Sequence, residues 1–220
     1  MGSAAAALVE PGMKVGLGTG RAASAFVEAL AERVRSEGLA IVGVPTSEST
    51  RARADQLGIR LVTLAEAGIL DLTIDGADEV DPCLDLVKGL GGALVREKIV
   101  AASSRRLVIV VGADKLVDRL GVRTPLPVEV VPFGRALCER RIADLGAHPQ
   151  IRGGASPFVT DNGNHVLDCR FRGIADPAEL DRRIREIPGV VGTGLFVGMA
   201  DRVLVQDGEQ VRALDRPRAA

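Results

Sequence analysis

Short apolar, β-branched runs alternate along the chain with stretches whose apolar residues recur at helical spacing, and glycine, proline or small polar residues separate them. Residues 14–17 read as a strand. Ala23, Phe26, Val27, Leu30 and Val34 then recur every three or four positions until Gly38, which predicts a helix with a glycine stop. Residues 39–44 read as the next strand, 50–57 as a helix ended by Gly58, and 59–63 and 70–74 as strands. A helix over 92–102 and a buried strand over 106–111 follow, while no element is read before the first strand. Apolar runs without strict alternation fit a parallel sheet covered on both faces, with right-handed crossovers between its strands.

The rhythm changes at Thr124-Pro125-Leu126-Pro127, where paired prolines mark a boundary. Beyond it the order is strand (128–131), helix (133–145), strand (148–152), strand (165–172), helix (178–186) and strand (190–197), the βαββαβ order of a ferredoxin-like unit. Runs at 201–206 and 210–214 around Asp207-Gly208 predict a hairpin returning to the first sheet. The expected architecture is α/β, a mostly parallel sheet with helices on both faces plus a smaller ferredoxin-like α+β domain. Residues 1–124 and 200–220 would form the first domain and 125–199 the second.

Charge narrows the partners. The chain has 28 Lys and Arg against 29 Asp and Glu in 220 residues, so no basic excess is present to neutralise a nucleic-acid backbone. There is no Trp and no Tyr, and only five Phe, which leaves little for base-stacking or sugar-stacking platforms. Cys83, Cys138 and Cys169 are odd in number and widely spaced, which argues against a disulfide framework or a zinc cluster, and only His148 and His165 remain as imidazole ligands. No apolar run approaches the ~20 residues that span a bilayer. The expectation is a cytoplasmic protein with no zinc cluster, no nucleic-acid partner and no membrane partner.

Gly16-Leu17-Gly18-Thr19-Gly20 lies between a strand and a helix, where backbone N–H groups and the helix dipole favour an anion. A dinucleotide fold is disfavoured, because Arg21 stands where a third glycine is required and Val44-Pro45 where a ribose-binding acid is expected. The loop reads as a phosphate site with Arg21 as an added cation, or as a tight turn serving the fold alone. Pro45-Thr46-Ser47-Glu48-Ser49 offers hydroxyls, or simply Ser49 as a helix N-cap. Asp75-Gly76-Ala77-Asp78-Glu79 follows a strand at the sheet's carboxyl edge and reads as a ligand loop, a solvated Asx turn or, more weakly, a Mg²⁺ site. Lys88-Gly89-Leu90-Gly91-Gly92 permits close backbone approach beside a point charge, and Arg96-Glu97-Lys98 lies on the following helix, where it equally reads as a solvated face.

Taken together and in this order, these motifs resemble the ribose-5-phosphate isomerase family, type A. The phrases that carry the resemblance are the 16–20 loop, Ile74 to Val80, Lys88 to Lys98, Pro125-Leu126-Pro127-Val128-Glu129-Val130 and Thr160-Asp161-Asn162-Gly163-Asn164. They span about residues 9–211. The resemblance implies a Rossmann-like catalytic domain and a cofactor-free aldose–ketose isomerase of the pentose phosphate pathway, interconverting ribose 5-phosphate and ribulose 5-phosphate through an enediolate. It implies Glu97 as general base, Lys88 as oxyanion stabiliser, Asp75 for hydroxyl protons and Asp78 for orienting Lys88 and the sugar. Gly18, Thr19, Gly20, Arg21, Ala22, Gly76, Ala77, Gly89, Leu90, Gly91 and Lys115 are the implied substrate contacts.

The chain departs from the family pattern in three places. Thr19-Gly20-Arg21-Ala22 replaces the usual Thr-Gly-Ser-Thr, losing two hydroxyls and gaining a guanidinium, so phosphate is expected to be gripped differently. Leu90 replaces a glycine. The first strand comes early, without most of the family's N-terminal helix, which is expected to expose apolar surface or to alter oligomerisation. Exposed sheet and hairpin edges point to a homodimer or homotetramer. The alternative is a non-catalytic sugar-phosphate sensor, which would need a DNA-binding helix-turn-helix that is not read before Val15.

Overall fold

The computed structural model describes residues 1–216 and contains two compact units; residues 217–220, part of the expected first domain, lie outside the described residues. The first unit comprises residues 1–77, 96–115 and the segment from 199, and the second 78–95 and 116–198.

In chain order the elements before the second unit are α1 (Gly2–Ala6), β1 (Lys14–Leu17), α2 (Arg21–Glu37), β2 (Val42–Pro45), α3 (Glu48–Gln56), α4 (Leu64–Ala67) and β3 (Leu72–Asp75). β4 (Glu79–Val80) and β5 (Leu86–Val87) follow, then α5 (Leu94–Ala102) and β6 (Leu107–Gly112). β7 (Leu126–Val130), α6 (Arg135–Ala143), β8 (His148–Ile151), β9 (His165–Arg170), α7 (Pro177–Arg185), β10 (Val190–Thr193) and β11 (Leu195–Phe196) belong to the second unit. β12 (Arg202–Asp207) and β13 (Gln210–Asp215) return to the first.

The first unit is built on a six-stranded sheet in the order β13-β12-β6-β3-β1-β2, parallel except for the β12–β13 hairpin. Its parallel strands run 2-1-3-4-5 by sequence, a doubly wound order whose switch point lies between β1 and β3. β3 is buried throughout, as expected of a strand covered on both faces. On one face, Leu17, Leu72, Ile74 and Val110 pack with Phe26, Val27 and Leu30 of α2; on the other, Val44, Ala67, Leu70 and Val100 of α5 form a smaller cluster. Gly16 lets α5 pass close, since an added Cβ would sit 2.7 Å from Val100 Cγ1. α2 has Gly20 at its N-cap and Gly38 in the left-handed region at φ 68°, the stop read from sequence.

Three local expectations are corrected in this unit. Residues 59–63 contribute only a bridge from Leu61 to Gly43, because Thr63 and Glu66 form a capping box that starts α4 at once. The N-cap of α3 is Ser47 rather than Ser49: Ser47 Oγ accepts from Thr50 N at 3.0 Å. The chain before β1 folds, with Ala5, Ala6 and Val9 buried and Arg33 Nη1 donating to the carbonyls of Ala6 (2.6 Å) and Val9 (2.8 Å). The segment thus covers Ala5, Ala6 and Val9, while Ala4 and Ala7 stay exposed.

In the second unit β7, β8, β9 and β10 form an antiparallel sheet in the order β10-β7-β9-β8, the arrangement expected of βαββαβ, with α6 and α7 contributing Cys138, Ile142 and Ile184 to its core. α7 starts at Pro177 behind Asp176, whose Oδ1 accepts from Glu179 N. The expected 190–197 strand is broken at Gly194. Beyond it Leu195 and Phe196 pair with β5 in a second small sheet, β11-β5-β4. That sheet, together with Val117 N donating to Val80 O, groups residues 78–95 and 116–124 with the second unit, where the sequence reading had put them in the first domain. Glu79 is buried there, and its carboxylate accepts the N–H groups of Gly121, Arg123 and Thr124.

Candidate active site

In the first unit the candidate residues sit at the carboxyl ends of parallel strands, where open α/β sheets bind ligands. The loop after β1 supplies Gly18, Thr19 and Gly20, with Arg21 and Ala22 opening α2; the loop after β3 supplies Asp75, Gly76 and Ala77. The switch point brings these loops together. Asp75 Oδ1 accepts from Thr19 N at 3.1 Å and from Gly76 N at 2.7 Å, and Gly18 N donates to Ile74 O at 2.9 Å. Gly18 is required by that approach, since an added Cβ would lie 2.5 Å from Asp75 Cα.

Thr19 is held from the other side by hydroxyls. Its Oγ1 lies 2.7 Å from Thr46 Oγ1, 2.8 Å from Ser47 Oγ and 3.0 Å from Thr50 Oγ1, while Thr50 Oγ1 donates to Gly18 O. Of the hydroxyls noted at 45–49, Thr46 and Ser47 support the loop, and Thr50 joins them; nothing in the spacing alone distinguished support from binding. Gly18, Gly20, Ser24, Ser49, Thr50 and Arg53 are among the residues lining a cavity of about 100 Å³ beside the loop. Arg21 is exposed.

Glu97 lies in the first turn of α5 and is 5% exposed. Its neighbour Arg96 donates to Glu48 Oε1 at 2.7 Å, tying α5 to the start of α3, and this bond holds the Glu48 carboxyl below its ordinary value. Lys115 ends the short 3-10 segment after β6, with Nζ 3.9 Å from Asp114 Oδ2.

The second unit carries Asp78, Lys88, Gly89, Leu90 and Gly91. Lys88 is 2% exposed; its N–H donates to Gly194 O at 2.8 Å, and its ammonium stands 5.4 Å from the centre of the Phe196 ring. Asp78 Oδ2 accepts from Leu90 N at 3.0 Å, so the two expected loops are joined here as well. Gly89 and Gly92 adopt φ of 106° and 83°, which explains glycine at both positions. Leu90, which stands where the resemblance expects glycine, is exposed. The turn also receives Arg152 from the end of β8, a partner 62 or more residues away that no local pattern revealed.

Among the described residues, five acidic or basic side chains are buried. Glu79 and Glu129 are 0% exposed and tie down loops, Glu129 through Oε1 alone, which accepts from Thr160, Asn162 and Asn164. The other three are Asp75 at 1% exposure, Lys88 and Glu97, all in the motifs singled out from sequence. Burying a charge is costly unless the surroundings compensate it, so such groups mark candidate chemistry.

The comparisons with known proteins agree over nearly the whole chain. The family model described as ribose 5-phosphate isomerase A (phosphoriboisomerase A) matches residues 42–210. The chain is similar to the ribose-5-phosphate isomerase A of Gloeobacter violaceus, at 57% identity over 97% of this chain and 93% of that one. The enzyme of Roseiflexus castenholzii is 53% identical over 96% and 92%. Among solved structures, ribose 5-phosphate isomerase A from Methanocaldococcus jannaschii superposes with a TM-score of 0.93 at 40% identity, covering 97% of this chain and 96% of that one. A D-ribose-5-phosphate isomerase in complex with phospho-erythronic acid gives 0.94 at 36% identity, covering 98% and 97%. The chain belongs to the ribose 5-phosphate isomerase A family, enzymes that interconvert ribose 5-phosphate and ribulose 5-phosphate.

Proposed function

We propose that this chain carries out the isomerisation without metal or cofactor, through an enediolate, with Glu97 as the base. Glu97 removes the C2 proton of the open-chain aldose and returns it to C1, the electron pair passing to O1 in between. Lys88 stabilises that oxyanion. Asp75 moves hydroxyl protons during ring opening and between O1 and O2, and Asp78 orients Lys88 and the sugar. The observation that carries this reading is that Asp75, Lys88 and Glu97, the groups this chemistry requires, are all buried and all lie within the motifs that carry the family resemblance.

Magnitudes support the division of labour. General acid–base catalysis contributes about 10²–10⁴-fold, less than the 10⁶-fold or more typical of enzymes. A preorganised cation at the developing oxyanion adds roughly 3–4 kcal/mol, comparable with an oxyanion-hole donor.

The phosphate engages the first amides of α2 and the Arg21 guanidinium, with Lys115 as a further contact; Gly18, Thr19, Gly20, Ala22, Gly76, Ala77, Gly89, Leu90 and Gly91 shape the backbone around the substrate. The relative solved with phospho-erythronic acid supports a small phosphorylated sugar acid or sugar as the ligand class. Among the described residues no helix is long and apolar enough to cross a membrane. The protein works in the cytoplasm as a homodimer or homotetramer, a reading supported by the exposed outer strand β13 and checked by light scattering.

The test is Glu97→Gln. Turnover of ribose 5-phosphate should fall by about 10²–10⁴-fold while folding and sugar-phosphate binding persist. Near-normal turnover by that variant would sink the assignment, and loss of turnover in the parent enzyme on adding a chelator would sink the metal-free reading.

A further inference from the structure

The turn that carries Lys88 is gripped by side chains of its own unit that lie far along the chain. Arg152 Nη1 donates to Gly89 O and to Leu90 O, each at 3.0 Å. Its Nε donates to Asp168 Oδ2 at 3.0 Å and its Nη2 to Asp168 Oδ1, so the fork is neutralised by a carboxylate on β9. The guanidinium stands 5.9 Å from the centre of the Phe158 ring, and an added Cβ on Gly92 would come within 2.5 Å of that ring. Phe158 N in turn donates to Arg152 O. The Arg152 side chain is 15% exposed.

Peptide planarity turns this grip into a statement about donors. In a trans peptide the N–H points opposite to the C=O of the same plane. With Gly89 O facing Arg152, the Leu90 N–H points the other way, and there it meets Asp78 Oδ2. With Leu90 O facing Arg152, the Gly91 N–H is likewise turned away from the guanidinium, and it has no partner among the described residues. The glycines at 89 and 92 give the turn its backbone freedom; Gly92 N closes it on Gly89 O at 3.0 Å, and Arg152 Nη1, aimed by the two-nitrogen fork on Asp168, holds the carbonyls of Gly89 and Leu90.

We propose that Arg152, held by Asp168, is a positioning residue for the isomerisation: it sets the two peptide planes after Lys88, directing one N–H to Asp78 and presenting the other to the substrate. The proposal rests on the reading of Lys88 as the oxyanion stabiliser.

The experiment uses the full chain with Arg152→Met, Arg152→Lys and Lys88→Met. It reads kcat and KM for ribose 5-phosphate well below each melting temperature, together with amide hydrogen exchange over residues 86–94. Arg152→Met should lower kcat about 10–100-fold, as loss of an orienting outer partner does. Exchange should speed up at Leu90 and Gly92, whose N–H groups are bonded to Asp78 and to Gly89 O, and Arg152→Lys, which keeps the charge but not the fork, should recover only part of kcat. A lowered melting temperature with unchanged kcat in Arg152→Met would reduce Arg152 to a fold-stabilising residue and overturn the proposal, as would unchanged exchange at Leu90 and Gly92. Normal turnover in Lys88→Met would defeat the oxyanion role separately, and the exchange data would then decide whether Arg152 sets the turn.

Discussion

Gly18→Ala isolates the close approach of the two first-unit loops. The backbone at Gly18 needs no left-handed conformation, so the penalty is steric: the new Cβ would lie 2.5 Å from Asp75 Cα, against the 3.4–4 Å of ordinary contact. Relief requires β1 and β3 to part by about 1 Å at their carboxyl ends, an overpacking cost of about 1–3 kcal/mol. That shift also weakens the Thr19 N–Asp75 and Gly18 N–Ile74 hydrogen bonds, at about 1 kcal/mol in all. A total of about 2–4 kcal/mol lowers the melting temperature by roughly 4–16 °C for a chain of this size. A displacement of about 1 Å at Asp75 lowers kcat/KM by about 10²-fold. The matched control is Gly58→Ala, where φ is 77° and nothing lies near an added Cβ; it carries a backbone penalty of about 1–2 kcal/mol and should leave kcat/KM unchanged. Thermal melts by circular dichroism and steady-state kinetics read both variants. Parent-like melting and kcat/KM in Gly18→Ala would refute the steric argument.

Two further outcomes follow from the second unit. Glu79→Gln removes the charge that accepts three backbone N–H groups and should destabilise the protein by about 2–4 kcal/mol, read as a lower urea midpoint; an unchanged midpoint would show that the 121–124 loop does not depend on it. Burial pushes the Cys138 and Cys169 thiols up, so in native protein at pH 8 a thiolate-directed reagent should label Cys83 alone, and all three in denaturant; rapid native labelling of Cys169 would contradict its burial. Because these folded-state values are raised, the unfolded chain loses its thiol protons first. Their contribution to stability is therefore intact below about pH 9 and is lost as pH rises above it, which alkaline melts can follow.

Much of the fold was legible because burial on both faces leaves unbroken apolar runs and because glycine stops are local. α2, β3, β6 and the βαββαβ order all follow from patterns within one element or its neighbours. The 59–63 run misled, since apolar composition does not show that a capping box at Thr63 ends it. Gly194 breaks the 190–197 run for a reason outside that run: its carbonyl receives Lys88 N–H, and an added Cβ would collide with Lys88 O. The candidate residues Asp75, Asp78 and Lys88 stand out in sequence because their motifs occur in the family's order; spacing alone leaves an Asx turn or a solvated face open. Arg152, Asp168 and Phe158 were not legible, because they act across strand pairings, and an arginine at a strand end carries no mark of the carbonyls it will meet.

The hydroxyl cluster beneath the first loop has a consequence in proton supply. Thr46 and Thr50 hydroxyls donate to the carbonyls of Leu17 and Gly18, which can only accept, so each spends its one proton there. Thr19 then donates inward to Ser47, and its N–H is already given to Asp75. Thr19 thus has no proton left for an incoming anion. On the proposed function, a loop followed by Arg21 and Ala22 rather than Ser and Thr offers phosphate its own main-chain amides and one guanidinium but no hydroxyl of its own, a grip richer in charge than in hydroxyls.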